Sequence, residues 1–193
     1  MKRLEQLKRH LRPGRVYRRA ELAQWSKSVD RHVRELVDAG VLQKLRNGLY
    51  YYPKPSIFGQ VPAGERELVR GFLKEDDFLL TSPNAYNTLG LGTTQLYNTN
   101  VVHNHKRHGR FTLGGFTFEF RRKPRFPRKL TEEFLLVDLL NNLPVLAEDT
   151  EALRARAREK VKDMNTSNLR LAARDYGKVA TRKFFEQELA SAA

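Results

Sequence analysis

Apolar positions in the first part of the chain recur at helical spacing and then switch to short runs. Leu4, Leu7 and Leu11 predict a helix over Lys2 to Leu11, which Pro13-Gly14 ends. Val16-Tyr17 reads as a short extended piece, and Arg19 to Trp25 as a short helix with Ala20, Leu22, Ala23 and Trp25 available for burial. Ser26 is the expected N-cap of the next helix, because its hydroxyl can accept from a free backbone N–H. In that helix Val29, Val33, Leu36 and Val37 share a face, and Gly40 suits a left-handed closing residue. Val41 to Leu45 and Leu49 to Tyr52 flank Arg46-Asn47-Gly48, and Asn-Gly at this place predicts a tight hairpin of the type I′ kind.

The order short helix, serine-containing break, amphipathic helix, hairpin is that of a winged helix-turn-helix over Arg15 to Pro53. Pro53 to Pro62 holds three prolines and reads as a linker. Beyond it, Glu65 to Lys74 is a predicted helix, Phe78 to Leu80 a short buried strand, and Ser82-Pro83 the start of another helix that stops near Gly90. Thr99 to Asn104, Arg110 to Leu113 and Phe116 to Arg122 are predicted strands, the last two joined by Gly114-Gly115. Phe116, Phe118 and Phe120 alternate with polar residues, so Glu119 is expected on the other face, exposed. Thr131 caps a helix that runs to Asn142. Glu148 to Lys162, Ser167 to Asp175 and Lys178 to Leu189 form a helical tail. The expected fold class is α+β, with a winged helix-turn-helix over residues 1–56 and a mixed α/β domain with a small antiparallel sheet and a helical tail over residues 63–193.

Charge changes this picture from a fold to an electrostatic claim. The chain of 193 residues carries a formal net charge of +14 and a pI near 10.2, which favours a polyanionic partner. Residues 1–60 hold 14 Lys/Arg against 5 Asp/Glu, and residues 100–130 hold 9 against 1, so two blocks carry the excess. There is no cysteine, which excludes disulfides and cysteine zinc sites. No apolar run reaches the roughly 18 residues that span a bilayer, and the N-terminus lacks the apolar core of a secretory signal. A cytoplasmic protein with no membrane partner is expected.

If Val29, Val33 and Leu36 point inward, Lys27, Arg31 and Arg34 lie together on the opposite face, with Ser28 and Asp30 beside them. Arginine can donate bidentately to guanine O6 and N7 in the major groove. Arg18, Arg19 and Lys27 are expected on phosphates, which set register. Lys44, Arg46 and Asn47 flank the wing tip, where backbone or minor-groove contact is expected. Tyr50, Tyr51 and Tyr52 are expected to pack more than to stack on bases.

The second block offers Lys106, Arg107, Arg110, Arg121, Arg122, Lys123 and Arg125 as a second basic surface, and Arg121, Arg122, Lys123, Arg125, Arg128 and Lys129 as a positive ridge, for DNA or for an acidic protein. His103, His105 and His108 in HNHKRH have no carboxylate at ligand spacing, so neither a metal site nor a cofactor is expected. Leu89 to Gln95, LGLGTTQ, lacks the lysine and spacing of a phosphate loop, and no nucleophile elbow or paired carboxylates appear. The chain does not read as an enzyme.

The winged helix, FLLTSPNAYNTLGLGTTQLYN at Phe78 to Asn98, VVHNHKRHG, FTFEFRRKPRFP and FLLVDLLNN at Phe134 to Asn142 together resemble the AbiEi family of antitoxins, across roughly residues 15–145. The resemblance implies a repressor of its own operon whose N-terminal domain binds operator repeats in double-stranded DNA. It also implies a second region that neutralises a nucleotidyltransferase toxin. Two other readings stay open: an interaction module in which residues 100–130 hold a toxin or another acidic partner without sequence-specific DNA reading, and a metal-dependent nuclease using His103, His105 or Glu119.

Overall fold

Leu7, Leu11, Tyr17, Leu22, Val29, Val33, Leu36 and Leu42 form one buried cluster, and the N-terminal elements are arranged around it. A computed structural model of the chain describes residues 2–91, 93 and 96–191. Helix α1 (Lys2–His10), strand β1 (Arg15–Arg18), α2 (Arg19–Leu22) and α3 (Val29–Asp38) lead into β2 (Gln43–Arg46) and β3 (Leu49–Tyr52). The three strands form an antiparallel sheet in the order β1-β3-β2, with Val16 opposite Tyr51 and Arg18 opposite Leu49. Burying a leucine such as Leu22 or Leu36 completely stabilises the fold by roughly 1.5–3 kcal/mol. Tyr17 is also buried whole; its hydroxyl accepts the Arg12 N–H at 2.6 Å, and its ring meets the Trp25 edge.

Two local expectations are corrected here. Ser26 does not cap α3. Ser28 holds the N-cap position, without a side-chain cap bond, and Ser26 lies buried with its hydroxyl 2.7 Å from His32 Nδ1. The wing turn is not type I′. Gly48 has φ +75, but Lys74 is the one non-glycine residue with positive φ among the described residues, so Asn47 stays on the ordinary side. A register shift between Lys44 and Arg46 absorbs the mismatch that a primed turn would have avoided. The turn with positive φ at both centres is instead Gly114-Gly115, at +56 and +87.

The expected linker is a second hairpin. Strands β4 (Lys54–Ser56) and β5 (Gly59–Val61) pair antiparallel, with Ile57 and Phe58 at the turn. Helix α4 (Glu65–Leu73) follows. Its Gly71 approaches β1 so closely that an added Cβ would lie 2.4 Å from Val16 Cγ1.

Strand β6 (Phe78–Thr81) pairs antiparallel with β7 (Asn100–Asn104), in a sheet of order β6-β7-β9-β8 completed by β8 (Gly109–Leu113) and β9 (Phe116–Arg122). The Pro83–Leu89 segment is a 3₁₀ helix ending at Gly90, whose φ is +69. Helix α5 (Glu132–Asn142) is capped by Thr131, whose hydroxyl accepts the Phe134 N–H at 3.2 Å. Helices α6 (Thr150–Lys162), α7 (Thr166–Tyr176) and α8 (Val179–Ser191) complete the tail. Leu136, Leu139, Leu153, Leu169 and Phe185 are among the side chains at its core. The class is α+β, as the hydrophobic pattern predicts.

The chain divides into two compact units. One comprises residues 1–76 with 110–118, the other residues 77–109 with 119–193. The boundary expected between residues 56 and 63 thus falls inside the first unit.

Candidate nucleic-acid interface

Helix α3 is amphipathic for the reason its sequence suggests. Val29, Val33 and Leu36 are buried, while Lys27, Asp30, Arg31 and Arg34 are exposed around the other side. The sequence pattern does not single out His32, which is buried and holds Ser26, so the turn before the helix is tied to its first turn. A histidine next to an apolar face reads as surface in a linear pattern; its bond to Ser26, six residues back, emerges only on folding.

The basic residues differ in what already holds them. Arg19 forks onto Asp30, with Nε to Oδ1 at 2.6 Å and the second nitrogen to Oδ2 at 2.5 Å. That bond holds the Asp30 carboxyl below its usual range and raises the Arg19 guanidinium further. Arg31 lies 3.7 Å from Glu35 and 3.5 Å from His32 Nε2. Lys27, Arg34 and Lys44 are exposed. Arg18, expected on a phosphate, donates instead to the carbonyls of Gly71 and Phe72 and so joins the sheet to α4. Arg46 is exposed, yet its guanidinium stacks over Phe72 and Phe111 at 5.2 and 5.5 Å from the ring centroids. Among the wing tyrosines, Tyr51 is buried and donates to the Val61 carbonyl, which matches a packing role.

The residue 100–130 block spans both units. Arg110 groups with the first unit, and Lys106, Arg107, Arg121, Arg122, Lys123 and Arg125 with the second. Arg121 is half-buried, with Nε on Glu119 at 2.8 Å and a terminal nitrogen on Asn142 at 3.0 Å. Glu119 is therefore an internal partner of that cation and only partly exposed. Arg125 reaches Asp175 at 3.4 Å. Lys106, Arg107 and Arg122 are exposed and Lys123 is half-buried.

The HNHKRH stretch is not a plain polar loop. His103 is on β7 and only 2% exposed, edge-on to Phe134, and burial depresses its pKa to about 4. Asn104 builds the following turn: its Oδ1 accepts the N–H groups of Lys106 and Arg107 at 2.9 and 2.6 Å. His105 stacks on Phe126 and lies 3.4 Å from Asp77. No cluster of three or more metal-ligating side chains exists among the described residues. Asp138, for which the sequence suggests no partner, accepts the Tyr86 hydroxyl at 2.6 Å deep in the second unit. That hydroxyl also accepts from Asn142 Nδ2 at 3.1 Å, and burial beside the Asp138 carboxylate drives the Tyr86 pKa far upward. Gly92, Thr94 and Gln95 of the LGLGTTQ stretch lie outside the described residues. No helix among the described residues is long and apolar enough to cross a membrane.

No protein-family model matches the chain, and no curated protein matches it. Among solved structures, the crystal structure of the Rv2827c protein from Mycobacterium tuberculosis is similar. It is 16% identical with a TM-score of 0.56, over 98% of this chain and 75% of that one. At that identity the likeness speaks for the fold.

Proposed function

We propose that the chain is a DNA-binding transcriptional regulator whose α3 enters the major groove. One observation carries the reading: on a helix-turn-helix scaffold, the exposed side of α3 presents Lys27, Arg31 and Arg34, while its buried side is wholly committed to the core. Arg31 and Arg34 read base edges, Lys27 and Lys44 hold phosphates, and Arg19 is withheld from the backbone by Asp30. Ser28 and Asn47 supply neutral polar contacts at the helix start and the wing tip. Arg18 leaves the interface because its guanidinium is engaged by the Gly71 and Phe72 carbonyls. Arg46 contributes charge near the wing from its place on two phenyl rings.

The experiment is a salt titration of duplex binding by fluorescence anisotropy, on the DNA upstream of the chain's own coding sequence and on a scrambled duplex. Six phosphate contacts give a log–log slope of roughly −5. Arg34→Ala should lose discrimination between the two duplexes, by about 1–3 kcal/mol for one base contact. A flat titration, or identical discrimination by Arg31→Ala, Arg34→Ala and the parent, would sink the reading.

The antitoxin role implied by the AbiEi resemblance belongs to the same proposal, as a task of the second unit. The exposed basic residues Lys106, Arg107 and Arg122 favour an acidic protein partner there. Co-purification of a nucleotidyltransferase-like protein with the chain after DNase treatment tests it, and its absence at native expression levels counts against it.

A further inference from the structure

The tip of the β4–β5 hairpin carries two adjacent large apolar side chains almost entirely in solvent, Ile57 at 93% and Phe58 at 94% exposure. Single exposed apolar residues are ordinary. An adjacent pair in a two-residue turn is not, because such turns favour Gly, Asn, Asp or Ser. The tip is also braced. The Ser56 hydroxyl donates to the Gly59 carbonyl at 2.8 Å and accepts the Phe58 N–H at 3.2 Å, and Gly59 takes φ +105. The root is tied to the helix that we read as the DNA reader. Gln60 Nε2 donates to the Gly40 carbonyl just past α3 at 3.0 Å, and Gln43 of β2 donates to Gln60 Oε1 at 2.9 Å. The hairpin is thus held to the end of α3 and the base of the wing.

We propose that Ile57 and Phe58 form a wedge that enters a base step of the bound duplex, partly unstacking it and bending the DNA; this rests on the DNA-binding reading above. Apolar side chains of this kind serve as wedges in proteins that kink DNA. Size decides between occupants. A stable protein interface needs about 800 Å² from each partner, far more than two side chains supply, whereas one base step accommodates one or two. Charge agrees: the hairpin lies in the stretch with 14 Lys/Arg against 5 Asp/Glu, which suits a polyanion and not an apolar or basic surface. Flexible TA and CA steps are the expected insertion points.

The test uses the full chain and duplexes from its own upstream region, with 2-aminopurine placed in turn at TA and CA steps and a dye pair at the ends. The parent should raise 2-aminopurine fluorescence at least two-fold at one step and increase end-to-end energy transfer. Ile57→Ser/Phe58→Ser should lose both signals and bind about ten-fold more weakly, with the salt slope unchanged because no phosphate contact is removed. Phe58→Trp should keep the signals, which guards against a merely disrupted hairpin. Salt-dependent binding by the parent without unstacking or bending would overturn the wedge while leaving DNA binding intact. So would a serine variant that bends DNA like the parent, or one that alters only self-association. Absence of salt-dependent binding by the parent to every duplex would overturn both proposals.

Discussion

The Arg19 guanidinium of α2 and the Asp30 carboxylate of α3 face each other through two hydrogen bonds, at 2.6 and 2.5 Å. Both side chains are exposed, so the pair adds little to stability. Its weight falls on recognition, since it cancels one cation on the side of the domain proposed to meet DNA. Asp30→Ala should therefore bind duplex DNA several-fold more tightly, with a salt slope steeper by about one, the value for one further phosphate contact. Anisotropy titrations at several salt concentrations check this. Weaker binding by Asp30→Ala would mean that Asp30 itself contacts the DNA or orients Arg19 for it.

Asp138 is buried beside Tyr86, whose hydroxyl serves both Asp138 and Asn142. Removing that hydroxyl takes a hydrogen bond from the buried Asp138 carboxylate, while Asn142 keeps the Asp138 carbonyl at 2.7 Å and Arg121 at 3.0 Å. Tyr86→Phe should cost about 1.5–3 kcal/mol, the range for a hydrogen bond to a charged group. Urea unfolding measures it. Combining Tyr86→Phe with Asp138→Leu should cost less than the sum of the single changes, because the two share one interaction.

His103 makes stability depend on acid. Burial is the main cause of its depression to about 4, whereas an unfolded histidine titrates near 6.5. Between these values the unfolded chain binds the extra proton, so native stability falls as pH drops through that window and levels off below it. The loss from this residue is on the order of 3 kcal/mol. Thermal unfolding between pH 7 and pH 4 should show it, and His103→Leu should flatten the profile. An unchanged profile in that variant would place the acid sensitivity elsewhere.

Gly71 sits in α4 where an alanine would ordinarily help a helix by up to about 1 kcal/mol. Here the added Cβ would lie 2.4 Å from Val16 Cγ1 and 2.8 Å from Val16 Cβ. Val16 is buried in β1, so Gly71→Ala should destabilise by about 1–3 kcal/mol. Denaturant unfolding of Gly71→Ala, alone and with Val16→Ala, checks it; partial relief in the double variant, which removes Cγ1 but keeps Cβ, identifies the clash.

Local periodicity was enough to place most elements. The leucines of α1, the Val29-Val33-Leu36 face, the alternating phenylalanines of β9 and the Thr131 cap each act over a few residues, and each appears where the pattern puts it. The prolines of Pro53 to Pro62 suggest a linker and mask two very short strands. The wing turn differs because Asn47 keeps a negative φ and a register shift accommodates it.

Charge along the chain marked where cations are concentrated, but not which of them face solvent unpaired. That depends on carbonyls and carboxylates far away in sequence: Gly71 and Phe72 engage Arg18, Asp30 engages Arg19, and Asn142 engages Arg121. The sequence by itself determined the α+β class, the amphipathic α3 and the two basic blocks, because helix and strand periods and net charge are properties of neighbours. Only the tertiary structure decided the pairing of His32 with Ser26, the Tyr86–Asp138 bond and the tie of the Ile57-Phe58 hairpin to Gly40 through Gln60. Hydrogen bonds and burial between distant residues form when the chain closes on itself, and no local pattern specifies them.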